Sequence, residues 1–215
     1  TIYSYKKNNA KTYKHVELNY FMKFSNTEKE HLAKAWIAIS LAFGIVLAGG
    51  LKGVMSGNIY SMFIIAALTV GVGFLAHEIA HKYVAQRYHC YAEFRSFDNM
   101  LLLAIAMSFF GFVFAAPGAV MIRGVVTKER NGKISIAGPI TNIILALIFL
   151  ILLIITPFKL ISGYGLLINS WLALFNMIPF GNLDGAKVLR WNKVAYGFTV
   201  AAALLLMILS SKLMF

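Results

Sequence analysis

Six apolar runs alternate with shorter polar segments along the chain. They lie at about 33–51, 59–86, 99–122, 134–157, 161–183 and 194–213. Each approaches the roughly 20 residues that a helix needs to cross the hydrocarbon core of a bilayer. Lipid offers no hydrogen-bond partner to open backbone groups, so spans of this kind are expected to be helical. The pattern predicts an all-α polytopic membrane protein with five or six transmembrane helices.

The polar residues concentrate at the N-terminal end, where residues 1–31 are rich in lysine. We interpret 1–31 as a polar, basic tail and 32–215 as one membrane-embedded domain, whose motif-bearing core is about 59–190. The composition agrees, because 60% of the residues are hydrophobic and only 13% are charged.

The basic residues indicate which loops share one side of the membrane. All but three of the 20 Lys and Arg residues lie in residues 1–34, in the region 82–133 or in the loop 185–193; the exceptions are Lys52, Lys159 and Lys212. Basic residues collect in cytoplasmic loops, so the net charge of +12 does not require a nucleic acid partner.

This distribution constrains the run 99–122. Six complete crossings would place two of the basic loops opposite the tail. All three groups share the cytoplasmic side if 99–122 enters the membrane and returns, and Gly111, Pro117 and Gly118 favour such a break. We therefore expect 99–122 to be re-entrant.

The stretch "HEIAH", residues 77–81, carries the first candidate chemistry. On a helix, His77 and His81 share one face and can both reach one metal ion. Glu78 is placed to act as general base on a water at that metal. The alternative is a histidine pair that forms hydrogen bonds between helices, but it leaves Glu78 unpaired in an apolar run.

A catalytic zinc site needs a third protein ligand and an open position. Asp184 ends the apolar run "SWLALFNMIPFGNLDG". Two separations along the sequence are equal: from Gly165, near the start of its run, to Asp184, and from Asn58, where the second run begins, to His77. Both runs lead towards the cytoplasmic side in the charge-derived topology, so the two sites reach similar depth. The alternative role for Asp184 is a turn residue before Gly185.

Three motifs occur in a fixed order: "HEIAH" at 77–81, "AGPITN" at 137–142 and "NMIPFGNLDG" at 176–185. Together they resemble the site-2 protease family of intramembrane zinc metalloproteases. The resemblance covers residues 77–185. It leaves out most of 88–133, where members of this family often have a membrane-associated loop or β-hairpin; this chain shows a long apolar run there instead.

The resemblance implies one zinc ion bound by His77, His81 and Asp184, with Glu78 as general base and acid. Asn142 and Asn176 match motif asparagines, for which the candidate roles are orienting substrate or stabilising the oxyanion. Their alternative role is to bridge helices by hydrogen bonds.

The expected function is that of an intramembrane zinc endopeptidase, which hydrolyses peptide bonds within or near transmembrane segments of membrane proteins in regulated intramembrane proteolysis. The partners would be transmembrane protein substrates and the lipid bilayer, with no nucleic acid. The expected location is the cell membrane, as a multi-pass protein with its active site near the cytoplasmic side. The sequence does not specify an oligomeric state.

Two rival functions use the same residues. A membrane metal transporter or sensor would use the ligands without cleavage, and an inactive scaffold would keep only the fold. Glu78 distinguishes them from a protease, because transport needs ligands but no adjacent base.

Overall fold

A computed structural model of the protein describes residues 22–113 and 117–214. Within these residues the chain is mostly helical. The helices are α1 (Asn26–Ala48), α2 (Leu51–Met55), α3 (Ile59–Ala66), α4 (Val72–Arg87), α5 (Asp98–Ser108), α6 (Lys128–Ile155), α7 (Lys159–Asn176), α8 (Asp184–Trp191) and α9 (Lys193–Met214). A π-helical segment, Ala67–Gly71, joins α3 to α4, and the strands are β1 (Tyr91–Ser96) and β2 (Gly118–Arg123). Most of the predicted tail 1–31 lies outside the described residues.

Four helices in the described part of the chain are long and apolar enough to cross a membrane. They are Asn26–Ala48, Ile59–Arg87, Lys128–Ile155 and Lys193–Leu213. The membrane class predicted from the sequence is thus supported, but the count of five or six spans is not confirmed. Helix α7 is not among the four, and its buried face carries the polar residues Ser162, Asn169 and Ser170.

The prediction of an all-α protein is wrong in one region. Strands β1 and β2 pair in an antiparallel sheet, with a register that runs from Tyr91 opposite Arg123 to Ser96 opposite Gly118. The apolar run 99–122 divides into most of α5, a connection and most of β2. Hydrophobic periodicity alone cannot separate a short buried helix from a strand inside one apolar run.

The strand pairing also shows that the chain returns after α5. Ser96 and Gly118 lie side by side, so the chain leaves the sheet after Ser96 and re-enters it at the same end. Helix α5 has 11 residues, a length of about 16 Å at 1.5 Å per residue. That is about half of the 30 Å thickness of a bilayer core, so α5 by itself cannot form a complete crossing.

Helix α1 forms one side of the core. Ser25 caps its start by accepting a hydrogen bond from the backbone N–H of Glu28 at 3.0 Å, and Gly49 ends it in the left-handed region with φ +98°. Small residues let α1 approach α3 closely, because a Cβ on Gly44 would lie 2.9 Å from Phe63 Cα. The buried cluster under α1 comprises Ala35, Ala38, Ile39, Ala66, Val70, Phe74, Phe94, Leu101 and Ile168.

The π-helical segment contacts α1 directly. The indole Nε1 of Trp36 donates a hydrogen bond to the carbonyl oxygen of Ala67 at 3.2 Å. A Cβ on Gly71 would lie 2.6 Å from that same nitrogen, so the glycine is needed for the contact. Trp36 thus binds a carbonyl of the widened turn and holds the segment that leads into α4.

Candidate metal centre

Helix α4 brings the two histidines of "HEIAH" together. His77 and His81 are both buried, and their ring centroids are 4.6 Å apart with the planes at 86°. A carboxylate oxygen of Glu78 and one nitrogen from each histidine all lie within 4.8 Å of one another. One turn of helix therefore presents two nitrogen ligands and a carboxylate to the same small volume.

Asp184 reaches the histidines from the first turn of α8. Its Oδ2 lies 3.3 Å from Nε2 of His77 and 3.1 Å from Nε2 of His81. Burial by itself would raise the pKa of Asp184, but the imidazoles of His81 and His77 hold it below its ordinary value. The aspartate that ends the fifth apolar run thus meets the two histidines, as the comparison of depths predicted.

The turn before α8 explains how Asp184 is aimed. Gly181 has φ +58°, a conformation that glycine adopts without strain. A Cβ on Gly185 would lie 2.1 Å from the carbonyl oxygen of Met177, so only glycine allows α8 to fold back onto the end of α7. These glycines of "NMIPFGNLDG" therefore place the carboxylate that lies between them.

The outer nitrogen of each histidine meets an oxygen atom on α6. Nδ1 of His77 lies 2.6 Å from Oδ1 of Asn142, and Nδ1 of His81 lies 2.8 Å from the carbonyl oxygen of Ile134. Because these oxygens accept, each Nδ1 carries a proton, so Nε2 is the nitrogen of each ring that would offer its lone pair to a metal after releasing its own proton. Histidines that bind metals are oriented in this way. The interhelical hydrogen bonds considered as an alternative thus exist, and they involve the nitrogens that do not face Asp184.

Asn142 is itself held in a single orientation. Its Nδ2 donates to the carbonyl oxygen of Gly73 and to Oδ1 of Asn169, both at 3.1 Å. These two donations fix which atom of the amide is the oxygen, and that oxygen faces His77. The bridging role between helices that the sequence left open for Asn142 is the one its hydrogen bonds describe.

Asn169 on α7 is a residue that the sequence reasoning missed. It is fully buried, and its Nδ2 donates to the carbonyl oxygen of Gly165 at 2.9 Å. A Cβ on Gly73 would lie 2.3 Å from its Oδ1, so α4 and α7 touch at this point. Asn169 lies in the middle of the apolar run 161–183, whereas the other asparagines of that run, Asn176 and Asn182, lie nearer its end. A polar residue inside such a run was the available signal, because polar residues at such positions usually serve function.

Gly138 on α6 was also missed, although it belongs to the "AGPITN" motif. A Cβ at this position would lie 2.5 Å from Nε2 of His77 and 2.6 Å from Nε2 of His81. Any side chain here would fill the space in front of both nitrogens. The glycine therefore keeps open the point on which the three candidate ligand atoms converge.

The residues present fit a zinc ion. Two ligands held about 2.0–2.1 Å from one ion in tetrahedral geometry are about 3.3 Å apart, and the two nitrogen-to-oxygen separations are 3.3 and 3.1 Å. Two imidazole nitrogens and one carboxylate oxygen form a donor set that zinc favours. The space that a Cβ on Gly138 would fill lies close to the position such an ion would take.

Asn176, the second motif asparagine, lies at the last position of α7. Its Nδ2 donates to the carbonyl oxygen of Leu172 at 2.9 Å, within the same helix. The structure thus groups His77, Glu78, His81, Asp184 and Asn142, while the amide of Asn176 bonds to its own helix. A role for Asn176 in binding substrate stays a prediction.

The chain is similar to three curated proteins from two organisms. It is 46% identical over 137 residues to "Putative zinc metalloprotease MJ0611" of Methanocaldococcus jannaschii, a match over 61% of this chain and 72% of that protein. It is 30% identical over 155 residues to "Zinc metalloprotease MJ0392" of the same organism, over 70% of this chain and 39% of that protein. It is 27% identical over 150 residues to "Putative zinc metalloprotease YwhC" of Bacillus subtilis, over 57% of this chain and 66% of that protein. No family model and no solved structure matches.

Proposed function

The chain belongs to the site-2 protease-like family of zinc metalloproteases, and we propose that it is an intramembrane endopeptidase that cleaves within or near transmembrane segments of other membrane proteins. One observation carries the proposal: Nε2 of His77, Nε2 of His81 and Oδ2 of Asp184 meet beside Glu78. The site is built from apolar helices, two of which are long enough to span a bilayer. Such a position suits substrates that are themselves embedded in the membrane.

In this proposal His77, His81 and Asp184 hold one zinc ion per chain and leave a fourth position open. Bound zinc supplies polarisation of the scissile carbonyl and lowers the pKa of a water to about 7. The carboxylate of Glu78 takes the proton of the attacking water and passes it to the nitrogen of the leaving amine.

Asn142 and Asn169 act as positioning residues. The Nδ2 of Asn142 donates to two acceptors while its Oδ1 faces His77, so its hydrogen bonds favour orienting this histidine over binding the oxyanion. The carbonyl of Ile134 does the same for His81. The tautomer and orientation of both imidazoles are therefore fixed before the ion binds, with Nε2 directed at its position.

The substrate must be locally extended at the point of cleavage. Backbone groups inside a helix are already hydrogen-bonded to one another, so a transmembrane substrate has to unwind before Glu78 and its water can reach a peptide bond. Helix α8, which carries Asp184, also carries the basic residues Lys187 and Arg190, which fits a site at the cytoplasmic end of the helices.

The Glu78→Gln variant tests the enzymatic proposal. Zinc content and cleavage of a transmembrane test substrate would be measured on the same purified sample. We expect one zinc per chain but a loss of cleavage of at least about 100-fold, because glutamine cannot accept the proton. Glu129→Gln is the matched control, since Glu129 is exposed and pairs with Lys133 on the surface of α6.

The outcomes separate the three functions. Normal cleavage by pure Glu78→Gln protein would overturn the assigned mechanism. Zinc binding without cleavage in both the unaltered chain and Glu129→Gln would favour a transporter or sensor. A chain that neither retains zinc nor cleaves would be an inactive scaffold of the same fold.

The proposed cytoplasmic location can be tested with the single cysteine, Cys90. In a Cys90→Ser background, single cysteines replace Lys128, Lys159 and Lys187, and intact cells are treated with a membrane-impermeant thiol reagent. We expect Lys159→Cys to be labelled and the other two to be protected until the membrane is opened. Labelling of Lys128→Cys but not Lys187→Cys from outside would contradict the return of residues 97–117 to the cytoplasmic side.

A further inference from the structure

A basic cavity lies between the start of α6 and α8. It has a volume of about 310 Å³ and is lined by Val126, Thr127, Lys128, Asn131, Lys187 and Arg190. Three of these residues are cationic, and among the described residues that line the cavity none is acidic. We propose that this cavity binds the phosphate of an anionic lipid headgroup, a function separate from the proposed proteolysis.

Nearby carboxylates neutralise little of the positive charge of these three residues. Nζ of Lys187 lies 3.7 Å from Oδ1 of Asp184, a carboxylate whose other oxygen faces two imidazoles. The Nε of Arg190 donates to the carbonyl oxygen of Ala186. This bond occupies one of the five N–H donors of the guanidinium. In the described part of the chain no carboxylate lies within ion-pair distance of Lys128 or Arg190. Like charges around one cavity repel each other, so an anion between them lowers their energy.

The start of α6 adds to this positive potential. Thr127 caps the helix by accepting a hydrogen bond from the backbone N–H of Arg130 at 3.2 Å. The first turn of a helix keeps backbone N–H groups without intrahelical partners and carries the positive end of the helix dipole. This end of a 28-residue helix borders the cavity, so backbone and side chains attract the same kind of ligand.

The location of the cavity favours a lipid phosphate over a free one. Lys128 is the first residue of a helix long enough to span a membrane, Lys128–Ile155. The apolar part of this helix begins near residue 134, so the cavity lies just beyond it, at the depth of headgroups. Val125 is 75% exposed and Val126 is 37% exposed beside the cations, and exposed valines suit contact with acyl chains. Basic pockets at the ends of membrane helices bind anionic headgroups in this way.

The volume fits a headgroup and not a whole lipid. Small-molecule sites have volumes of about 300–1,000 Å³, and this cavity lies at the lower end of that range. A phosphodiester would contact Lys128 and Arg190 from within, while its acyl chains would lie outside against α6. Because Lys187 also faces Asp184, an occupied cavity would place the phosphate close to the metal centre.

Lipid retention by the full chain tests this assignment. The protein, purified in a neutral detergent, is mixed with phosphatidylglycerol or phosphatidylcholine, and the retained lipid is counted by native mass spectrometry. The test variant is Lys128→Gln with Arg190→Gln, which leaves Lys187 and the metal centre unchanged. The control is Arg123→Gln with Lys133→Gln, which removes the same charge from the same region outside the cavity.

We expect the unaltered chain and the control variant to retain phosphatidylglycerol about tenfold better than phosphatidylcholine, and the test variant to lose this preference. Equal retention by the test and control variants would overturn the proposal. Lys128→Gln alone provides a second variant if the double substitution does not fold, since Lys128 is exposed; we expect it to weaken retention about fivefold.

Two further arms separate other ligands that could occupy the cavity. If inorganic phosphate displaces phosphatidylglycerol and stabilises the protein equally against heat, the cavity takes free phosphate and the lipid assignment is wrong. If the test variant retains lipid normally but cleaves an acid-flanked transmembrane substrate more slowly than the control variant does, the cations bind substrate instead.

Discussion

Two buried polar clusters lie along α4, and they are built differently. The candidate metal centre contains His77 and His81, whose Nε2 atoms face the carboxylate of Asp184. The second cluster begins at the next residue, Lys82, which forms a buried ion pair with Glu28 of α1. The side chains of this pair are 2% and 1% exposed, so water hardly reaches either charge.

The polar groups of the second cluster pair with one another. Besides Lys82, Glu28 accepts a hydrogen bond from the backbone N–H of Phe94 at 2.9 Å. The ammonium of Lys82 also lies 4.4 Å from the ring centroid of Phe24. These contacts join the start of α1, the end of α4 and β1, so the cluster holds the sheet against the helices.

The difference shows how one helix separates binding from support. In the candidate metal centre the hydrogen bonds to α6 are made by the outer nitrogens, and both Nε2 atoms remain directed at one carboxylate. In the cluster around Lys82 the charges neutralise each other, and no position is left for a ligand. We therefore expect substitutions in the first cluster to change zinc affinity and substitutions in the second to change stability.

The largest expected effect is on stability, in Lys82→Ala. The substitution leaves the carboxylate of Glu28 buried without its counter-charge, which costs about 3–5 kcal/mol. Thermal unfolding of the purified chain in detergent measures the loss. The control is Lys133→Ala, because the pair of Lys133 with Glu129 is exposed and water screens it, so it contributes little to stability.

The double variant Glu28→Gln with Lys82→Met separates the loss of the ion pair from the cost of one unpaired buried charge. It removes both charges and should recover much of the loss, since no buried charge remains unpaired. Similar small shifts in Lys82→Ala and Lys133→Ala would show that the ion pair around Lys82 does not support the fold as described.

Asp184→Ala should have the next largest effect, on the metal. Two histidines make a weak site for an ion that prefers three protein ligands, so we expect zinc affinity to fall by at least about 100-fold, or roughly 2.7 kcal/mol. Asp98→Ala is the control, because Asp98 is an exposed carboxylate that pairs with Lys34 at 2.9 Å. Zinc content after dialysis against a chelator is the measurement, and equal content in the two variants would mean that Asp184 is not the third ligand.

Gly138→Ala should affect zinc more than folding. Its Cβ would lie about 2.5 Å from both Nε2 atoms, where it competes with the ion, and we expect affinity to fall by about 10- to 100-fold. The control is Gly197→Ala on α9, where an added Cβ meets nothing within 4 Å. Full zinc affinity in Gly138→Ala would show that the space in front of the histidines is not where the ion binds.

The smallest effect is expected for Asn169→Ala, which acts through Asn142. Removing its Oδ1 frees the amide of Asn142 to rotate, and we expect zinc affinity to fall about tenfold. Asn58→Ala is the control, since Asn58 is exposed and makes no side-chain cap bond at the start of α3. If the path runs through Asn142, adding Asn169→Ala to Asn142→Ala should change affinity no further; additive losses would contradict it.

The sequence was sufficient to bring the acidic and imidazole residues together. The spacing of His77 and His81 depends only on helix geometry, and the depth of Asp184 was predicted by counting residues along two apolar runs that lead in the same direction. Such local and additive rules can be read without a structure. The supporting residues are different, because Asn169 and Gly138 act through close approach between helices, and an interhelical distance is not a property of any one segment.

The sheet could not be predicted from the sequence for a second reason. Pairing Ser96 with Gly118 depends on contacts across a connection that includes α5. Within the apolar run 99–122 nothing in the periodicity marks where helix ends and strand begins. The charge pattern predicted that this run returns to its starting side, since loop charge reports topology and not secondary structure.

The π-helical segment Ala67–Gly71 determines the direction in which the helix face that carries His77 and His81 points. A π-turn is equivalent to one residue inserted into an α-helix, and each residue turns the helix by about 100°. Deleting one residue from this segment would restore a regular helix and swing His77 and His81 by that angle, away from Asn142 and Ile134 on α6. One extra residue therefore determines how the first half of this long helix is rotated relative to its second half. Trp36 of α1 contacts the segment that contains it through the carbonyl of Ala67.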